Sequence, residues 1–339
     1  MNPVRVGVIG CGYWGPNLIR AFHEIPEADL KMVCDPRQER LDYIGNKYPM
    51  LQTSPDYRDL LASDIEAAVI ATPISTHYRI ATDCLLAGKH VLCEKPLCES
   101  SNEGQELTRL AEGRALILMI GNVFLFNPGI VRLKEIFESG ELGNLNYMSA
   151  IRTNLGPIRS DVNAAYDLAT HDISIFNWLM NSEPEVVSAT GGSFLQPGIE
   201  DVVFISLRYP GNVLANIHAS WLNPKKVRQI TLIGTQKMVT WDDLELNTPI
   251  AIYDKGVNKT QERGDYGEFL RIAMWDGDIR LPKVKAEEPL KAEAVYFLQA
   301  IRKGSVGRSD GRFSAGVIKV LEAISASLAI SNHRTEVRT

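Results

Sequence analysis

Asp167 and His171 stand four residues apart, and a carboxylate beside an imidazole can orient the ring and raise its basicity. At that spacing on a helix both side chains share one face, an arrangement suited to a general base near neutral pH. A surface ion pair or a capping contact is the plainer alternative, and His171-Asp172 also has the look of half a metal site. With six histidines and no second ligand pair among them, no metal is expected. Lys95 lies in Glu94-Lys95-Pro96, where the proline restricts the lysine's backbone. At a strand end it would point into a ligand crevice; on spacing alone a solvated Lys-Pro turn is the plainer reading.

A second chemistry is written in Val6-Gly7-Val8-Ile9-Gly10-Cys11-Gly12-Tyr13-Trp14-Gly15-Pro16. Gly10, Gly12 and Gly15 have dinucleotide-binding spacing, after an apolar strand and before a helix. Gly10 permits the tight turn, Gly12 lets the backbone approach a pyrophosphate, and Gly15 lets helix and strand pack closely. The helix N-terminus offers amide donors to an anion, and Pro16 suits the first helical turn. Gly10, Gly12, Tyr13, Trp14 and Gly15 are therefore cofactor-binding candidates. Asp35, twenty residues past Gly15, would accept from the adenosine ribose hydroxyls and repel a 2′-phosphate, which favours NAD over NADP. Arg37 beside it could accommodate that phosphate, and Asp35-Pro36 also reads as a helix cap. Thr72, Pro73 and His77 after one strand, and Glu94 with Lys95 after the next, complete the cofactor set.

These residues need elements to hold them. Val4–Ile9, Leu30–Cys34, Ala67–Ala71, His90–Cys93 and Ala115–Ile120 are short apolar runs, as in strands buried on both faces. Amphipathic segments lie between them: Pro16–Glu24, Pro36–Lys47, His77–Ala87 and Ser101–Glu112, the last opened by Ser100-x-x-Glu103. That rhythm predicts βαβ units and a doubly wound parallel sheet, a Rossmann domain, over residues 1–121. After Asn122 the pattern changes. Helices over Pro128–Ser139 and near Ala164–Met180 flank a strand, Leu145–Arg152. Strands follow at Val186–Ser193, Val202–Tyr209, Val213–Trp221, Val227–Gly234 and Lys237–Trp241. Without helices between them they predict a large open sheet, mainly antiparallel. With helices at Leu290–Lys303 and Ala315–Ile330, the fold class is α/β followed by an α+β domain over 122–339.

The 339 residues exceed what one core usually fills. With 45% hydrophobic and 23% charged residues, wholesale disorder is excluded. The net charge of −5, from 36 basic and 41 acidic residues, gives a nucleic-acid backbone nothing to bind. Ala115–Phe126 reads as the longest apolar stretch, short of the about 20 residues of a membrane span, and no signal segment is expected. Cys11, Cys34, Cys84, Cys93 and Cys98 read as free thiols of a cytoplasmic protein.

Gly10-x-Gly12-x-x-Gly15, Ala71-Thr72-Pro73, Glu94-Lys95-Pro96 and Asp167-x-x-x-His171, in that order, resemble the glucose–fructose oxidoreductase / inositol dehydrogenase / rhizopine-catabolism (Gfo/Idh/MocA) family of nicotinamide-dependent oxidoreductases. The resemblance implies that Lys95 lies between nicotinamide and substrate, in a lysine–proline peptide that is often cis. It implies that His171 sits beside the reacting hydroxyl with Asp167 close by, and that the second domain's sheet forms a homodimer or homotetramer. Arg152–Asn163 and Ser220–Arg228 are similar to the family's nucleotide-sugar branch, which oxidises C3 of a UDP-linked N-acetylated hexose or hexuronate for polysaccharide or lipid A synthesis. On that likeness Asn154, Arg159, Asp161 and Asn163 join Asp167 and His171 as substrate contacts, the arginine suiting a diphosphate. The chain departs from many relatives at Phe124-Leu125-Phe126, where they carry an arginine.

The expected reaction has His171 take a hydroxyl proton while hydride leaves the sugar carbon, with Lys95 donating to the oxygen. A lysine whose pKa is lowered by burial is the alternative base. An inositol or free-sugar dehydrogenase, a dTDP-keto-deoxysugar ketoreductase and a nucleotide-sensing protein without turnover are the competing readings.

Overall fold

The computed structural model describes residues 2–264 and 267–331. Strands β1 (Val4–Ile9), β2 (Ala28–Cys34), β3 (Gln52–Ser54), β4 (Ala67–Ile70), β5 (His90–Glu94) and β6 (Leu118–Gly121) form one sheet. All its pairings are parallel, in the order β3-β2-β1-β4-β5-β6. The order reverses between β1 and β4, the switch point at which such sheets bind ligands. Helices α1 (Gly15–Glu24), α2 (Gln38–Lys47), α3 (Arg58–Ala62), α4 (Ile74–Leu86) and α5 (Ser101–Gly113) make the crossovers. The capping box at α5 is present: Ser100 Oγ accepts from the Glu103 amide, and Glu103 Oε2 accepts from the Ser100 amide, each at 3.3 Å. Ile9, Ile70, Val91 and Ile120 share a core with Ile80, Leu85 and Leu107. Each such side chain contributes about 1.5–3 kcal/mol on burial.

After α6 (Pro128–Glu138) come β7 (Leu145–Leu155), a π-helical turn over Ala165–Ala169 and α7 (Thr170–Met180). Seven strands follow: β8 (Val186–Gly192), β9 (Val202–Tyr209), β10 (Val213–Ser220), β11 (Leu222–Gly234), β12 (Met238–Asp242), β13 (Ile250–Gly264) and β14 (Gly267–Arg280). With β7 they build an eight-stranded sheet, β14-β13-β12-β11-β7-β10-β9-β8. Only the β10–β7 pairing is parallel. Val203, Ile205, Leu207 and Tyr209 of β9 are buried, while Phe204 between them is exposed, so one face is packed and the other open. On the packed side Tyr209 donates to Asn177 Oδ1 of α7 at 2.7 Å.

The chain closes with α8 (Pro289–Lys303) and α9 (Gly311–Ser331). It divides into two compact units, one running to Asn127 and including Glu287–Glu322, the other made of Pro128–Ala286 and the chain from Ala323. The expected second domain over 122–339 is therefore interrupted. α8 and the first half of α9 belong to the first unit because their apolar faces are buried there: Ile318 joins the core of Ile120 and Leu107. Gly104 leaves only 3.1 Å between an added Cβ and the Ala315 methyl, and the Ser101 amide and hydroxyl both donate to Glu322. Over Gly311–Ile330, α9 is also, among the described residues, the one helix long and apolar enough to cross a membrane. It displaces Ala115–Phe126 as the longest apolar stretch, but its Val317, Ile318, Leu321 and Ile324 are buried within the protein.

Candidate active site

Gly10 ends β1 with φ +102°, and a Cβ there would meet the Ala71 carbonyl oxygen at 2.6 Å. A Cβ on Gly15 would stand 2.1 Å from the Gly10 carbonyl oxygen. Turn and helix can approach this closely only as glycine. Gly12 has open space before it as far as Arg37 Nη2 at 3.7 Å. The result is a backbone hollow at the N-terminus of α1, with Pro16 in the first turn, and it fits the phosphates of a dinucleotide. Tyr13 beside it is 92% exposed.

Asp35, 3% exposed, is drawn to the same turn. Its Oδ2 accepts from the Cys11 amide at 2.7 Å, and Oδ1 from the Arg37 amide at 3.0 Å. Arg37 also donates through Nε to Oδ1 at 3.0 Å and through Nη2 to Oδ2 at 3.1 Å. Burial works to raise the carboxyl's pKa, but these donors and the guanidinium charge together hold it below the usual carboxylate range.

At the end of β4, Thr72 accepts at Oγ1 from Thr76 at 2.7 Å, and Pro73 precedes α4. His77 is 1% exposed, with Nδ1 2.9 Å from the Pro96 carbonyl and Nε2 2.8 Å from the Thr72 carbonyl. It thus braces the chain after β4 against the chain after β5. Desolvation lowers its pKa against the pull of those carbonyls. Glu94, half-buried, receives the Trp14 indole N–H at 2.6 Å and the Lys95 amide at 3.2 Å. The glycine-rich turn is thereby tied to the residue before Lys95. The Lys95–Pro96 peptide is cis, as the family resemblance implies.

In the second unit, Asp167 lies in the π-helical turn and His171 in the first turn of α7. Trp221, fully buried, donates its indole N–H to Asp167 Oδ2 at 3.1 Å, and Arg159 Nη1 lies 3.4 Å from Oδ1. Arg159 is gripped by Asp161 at 2.9 and 2.6 Å. That pairing raises the pKa of the guanidinium and lowers that of the Asp161 carboxyl. Arg159, Asp161 and Asp167 therefore form one cluster. Asn163 is turned to structure, donating to Glu200 at 2.8 Å and accepting from the Tyr166 amide at 3.2 Å. Asn154 folds back onto the Gly156 carbonyl.

Three residues escape sequence reasoning. Arg152 of β7 donates to both oxygens of Asp172 at 2.8 Å, each side chain 2% exposed. This buried pair ties α7 to the sheet and commits Asp172, the suggested half of a metal site, to a guanidinium. Arg308 lies over the Phe126 ring at 5.2 Å and donates to the Leu125 carbonyl at 2.9 Å, so an arginine reaches the Phe124-Leu125-Phe126 turn from far along the chain. Glu293 of α8 is fully buried, and only its place on an apolar stripe could have singled it out.

Residues 4–122 match the oxidoreductase family with an NAD-binding Rossmann fold, and residues 130–240 match the GFO/IDH/MocA C-terminal domain. Over 227 residues the chain is 30% identical to inositol 2-dehydrogenase 2 of Paenarthrobacter aurescens, covering 63% of this chain and 68% of that one. It is 28% identical to UDP-N-acetylglucosamine 3-dehydrogenase of Acidithiobacillus ferrooxidans over 336 residues, 97% of this chain and 99% of that one. A crystal structure of that enzyme shares the fold, with a TM-score of 0.80 at 24% identity over 97% of this chain and 98% of that one.

Proposed function

The chain belongs to the Gfo/Idh/MocA family of oxidoreductases, and from that premise we propose that it oxidises a secondary hydroxyl, at C3, of a UDP-linked N-acetylated sugar to the ketone, with NAD as the acceptor. One observation carries the substrate class. The likeness to a UDP-N-acetylglucosamine 3-dehydrogenase runs through 97% of the chain, whereas the likeness to inositol dehydrogenases covers 63% of it in one case and 78% in another. The test is turnover with NAD on a panel of UDP-N-acetyl sugars, dTDP-sugars, inositol and free hexoses, read as reduced-nicotinamide absorbance. Reduction with the UDP-N-acetyl sugars is expected. Reduction with inositol or free hexoses alone would overturn the substrate class, and dinucleotide binding without turnover on any sugar would favour a sensing role.

A bound nicotinamide accepts hydride from the carbon that bears the hydroxyl. His171 takes the hydroxyl proton, and Lys95 donates a hydrogen bond to the same oxygen as the carbonyl forms. Asp167, fixed by Trp221 and Arg159, orients the imidazole. Gly10, Gly12 and Gly15 hold the pyrophosphate, with Tyr13, Trp14, Thr72, Pro73 and Glu94 around the cofactor, and His77 holds the strand ends in place. Arg159 and Asp161 are the contacts for the sugar nucleotide, and Asn154 and Asn163, expected to join them, hold the loop that carries them. Homo-oligomer contact falls on the open sheet face, where Tyr147, Ile151 and Leu214 are exposed and Phe204 stacks on His218 at 4.5 Å.

Asp35 sets the choice of NAD by accepting from the ribose hydroxyls, which would take the lone pairs that the Arg37 side chain occupies here. Removing it by Asp35→Ala is expected to weaken NADH binding roughly 10- to 100-fold, the value of hydrogen bonds to a charged group. Arg37, then released, should narrow the gap to NADPH. Fluorescence titration with both dinucleotides checks this; an unchanged ratio would remove Asp35 from the choice. The depressed carboxyl is ionised at neutral pH, so its contribution is present above the ordinary carboxylate range and lost only as pH falls through the lowered value.

A further inference from the structure

Between Leu222 and Val227 the register of β11 slips. Leu222 pairs with Leu155 and Val227 with Thr153, so Asn223, Pro224, Lys225 and Lys226 all lie against Asn154 of β7. Pro224 belongs in such a bulge, since it has no amide to offer a neighbouring strand. Bulges of this kind occur beside active sites, where they turn side chains out of the regular alternation. Pro224, Lys225 and Lys226 are exposed. Arg228, the next cation along the strand, is paired with Asp243 at 3.0 Å, whereas neither Lys225 nor Lys226 meets a carboxylate among the described residues.

The bulge stands at the root of the loop that carries Arg159 and Asp161. That loop leaves β7 at Gly156, whose amide donates to the Trp221 carbonyl at 3.1 Å, immediately before β11. The Trp221 amide donates in turn to the Asp201 carbonyl at 3.0 Å, and its indole to Asp167. Farther along, Gln196 donates to the Arg159 carbonyl at 3.0 Å, and the Ala164 amide to the Glu200 carbonyl at 2.9 Å. Loop, indole and bulge are thus held to one another within the second unit.

Their charges are unevenly placed. Arg159 lies between two carboxylates, Asp161 and Asp167, which leave it no positive charge to spare. A diphosphate brought to that cluster alone would meet more carboxylates than cations. Two ammonium groups on long flexible stems, with no carboxylate of their own, reverse that balance.

We propose that Lys225 and Lys226 are the phosphate contacts of the sugar-nucleotide site, holding the diphosphate of a UDP-linked substrate while Arg159 and Asp161 meet its sugar. The proposal rests on the sugar-nucleotide reading above and supplies the positive charge that the Arg159 cluster lacks. Each lysine acts as a point charge and does not need the fixed geometry of a guanidinium fork.

The test combines Lys225→Ala with Lys226→Ala in the full chain, beside the pair Lys225→Arg and Lys226→Arg. Both side chains are exposed, so neither exchange disturbs the core. In the alanine pair, the KM for the UDP-N-acetyl sugar and the calorimetric Kd for UDP are each expected to rise about 10-fold or more, with kcat and NADH affinity within about twofold of the wild type. The arginine pair should bind UDP nearly as the wild type does. Added salt should weaken UDP binding to the wild type and narrow its lead over the alanine pair. Uridine, which has no phosphate, should bind all three alike. Unchanged KM and UDP affinity in the alanine pair, with the wild type turning over UDP-N-acetyl sugars, would overturn the lysine contacts and leave the substrate reading standing. A loss of NADH affinity as large as that of UDP would overturn them too, by moving the lysines to the dinucleotide. Lysine-dependent UDP affinity without turnover on any UDP-sugar would keep the contacts and count against the oxidation. A wild type that binds no UDP would overturn both.

Discussion

His171→Ala and Lys95→Ala are each expected to cut turnover about 100-fold or more while leaving dinucleotide affinity nearly unchanged. The two replacements remove different things. Without the imidazole, nothing at position 171 accepts the hydroxyl proton; without the ammonium, the oxygen loses a donor as it becomes a carbonyl. The glycine turn, Asp35 and Arg37 are hydrogen-bonded among themselves, and those bonds keep the dinucleotide hollow in shape through both changes. Steady-state turnover on the UDP-N-acetyl sugar, together with fluorescence titration of the reduced dinucleotide, separates chemistry from binding. Partial rescue of H171A by added imidazole, or of K95A by a small primary amine, would identify the missing group. Full activity in either variant would remove that residue from the reaction.

The second large effect concerns a residue that touches no ligand. Asp172→Ala takes from the Arg152 guanidinium, 2% exposed, the carboxylate that meets two of its nitrogens, and breaking a buried pair from one side costs about 3–5 kcal/mol. For a unit of this size the melting temperature should fall by roughly 10 °C. Replacing both partners, Arg152→Met with Asp172→Leu, removes both buried charges and is expected to recover most of that loss, as apolar substitutes for buried pairs commonly do. Differential scanning calorimetry decides the matter. A single variant as stable as the wild type would show that Arg152 finds water or another acceptor, and the anchoring of α7 would then need another source.

Much of this fold is legible because a parallel sheet is buried on both faces, so β1, β4 and β5 leave plain apolar runs. The glycine turn is equally legible, since Gly10 and Gly15 occupy positions where a Cβ would collide with backbone. β13 and β14 are not, because residues such as Lys255, Lys259, Glu262, Arg263 and Asp276 break the alternation that marks a half-buried strand. Asp172 is set apart from His171 by geometry. One residue past His171 on a helix turns the side chain through about 100°, so the two cannot be read as one site. Its partner Arg152 is carried by a strand, and no local spacing announces that contact. The same holds for Glu293, which becomes noticeable only once α8 is known to return to the first unit.

That return bears on the order in which the chain can be assembled. The first unit opens the sequence, yet the Glu293 carboxyl, Ile318 and the Glu322 contact to Ser101 arrive only after Pro128–Ala286 have been synthesised. Until then a nascent sheet leaving the ribosome displays an apolar flank that no earlier segment covers. The second unit's sheet strands, β7 through β14, are all in hand before that flank is closed. The domain that begins first is therefore finished late, and its unfinished apolar side is where wrong contacts have the longest time to form during synthesis.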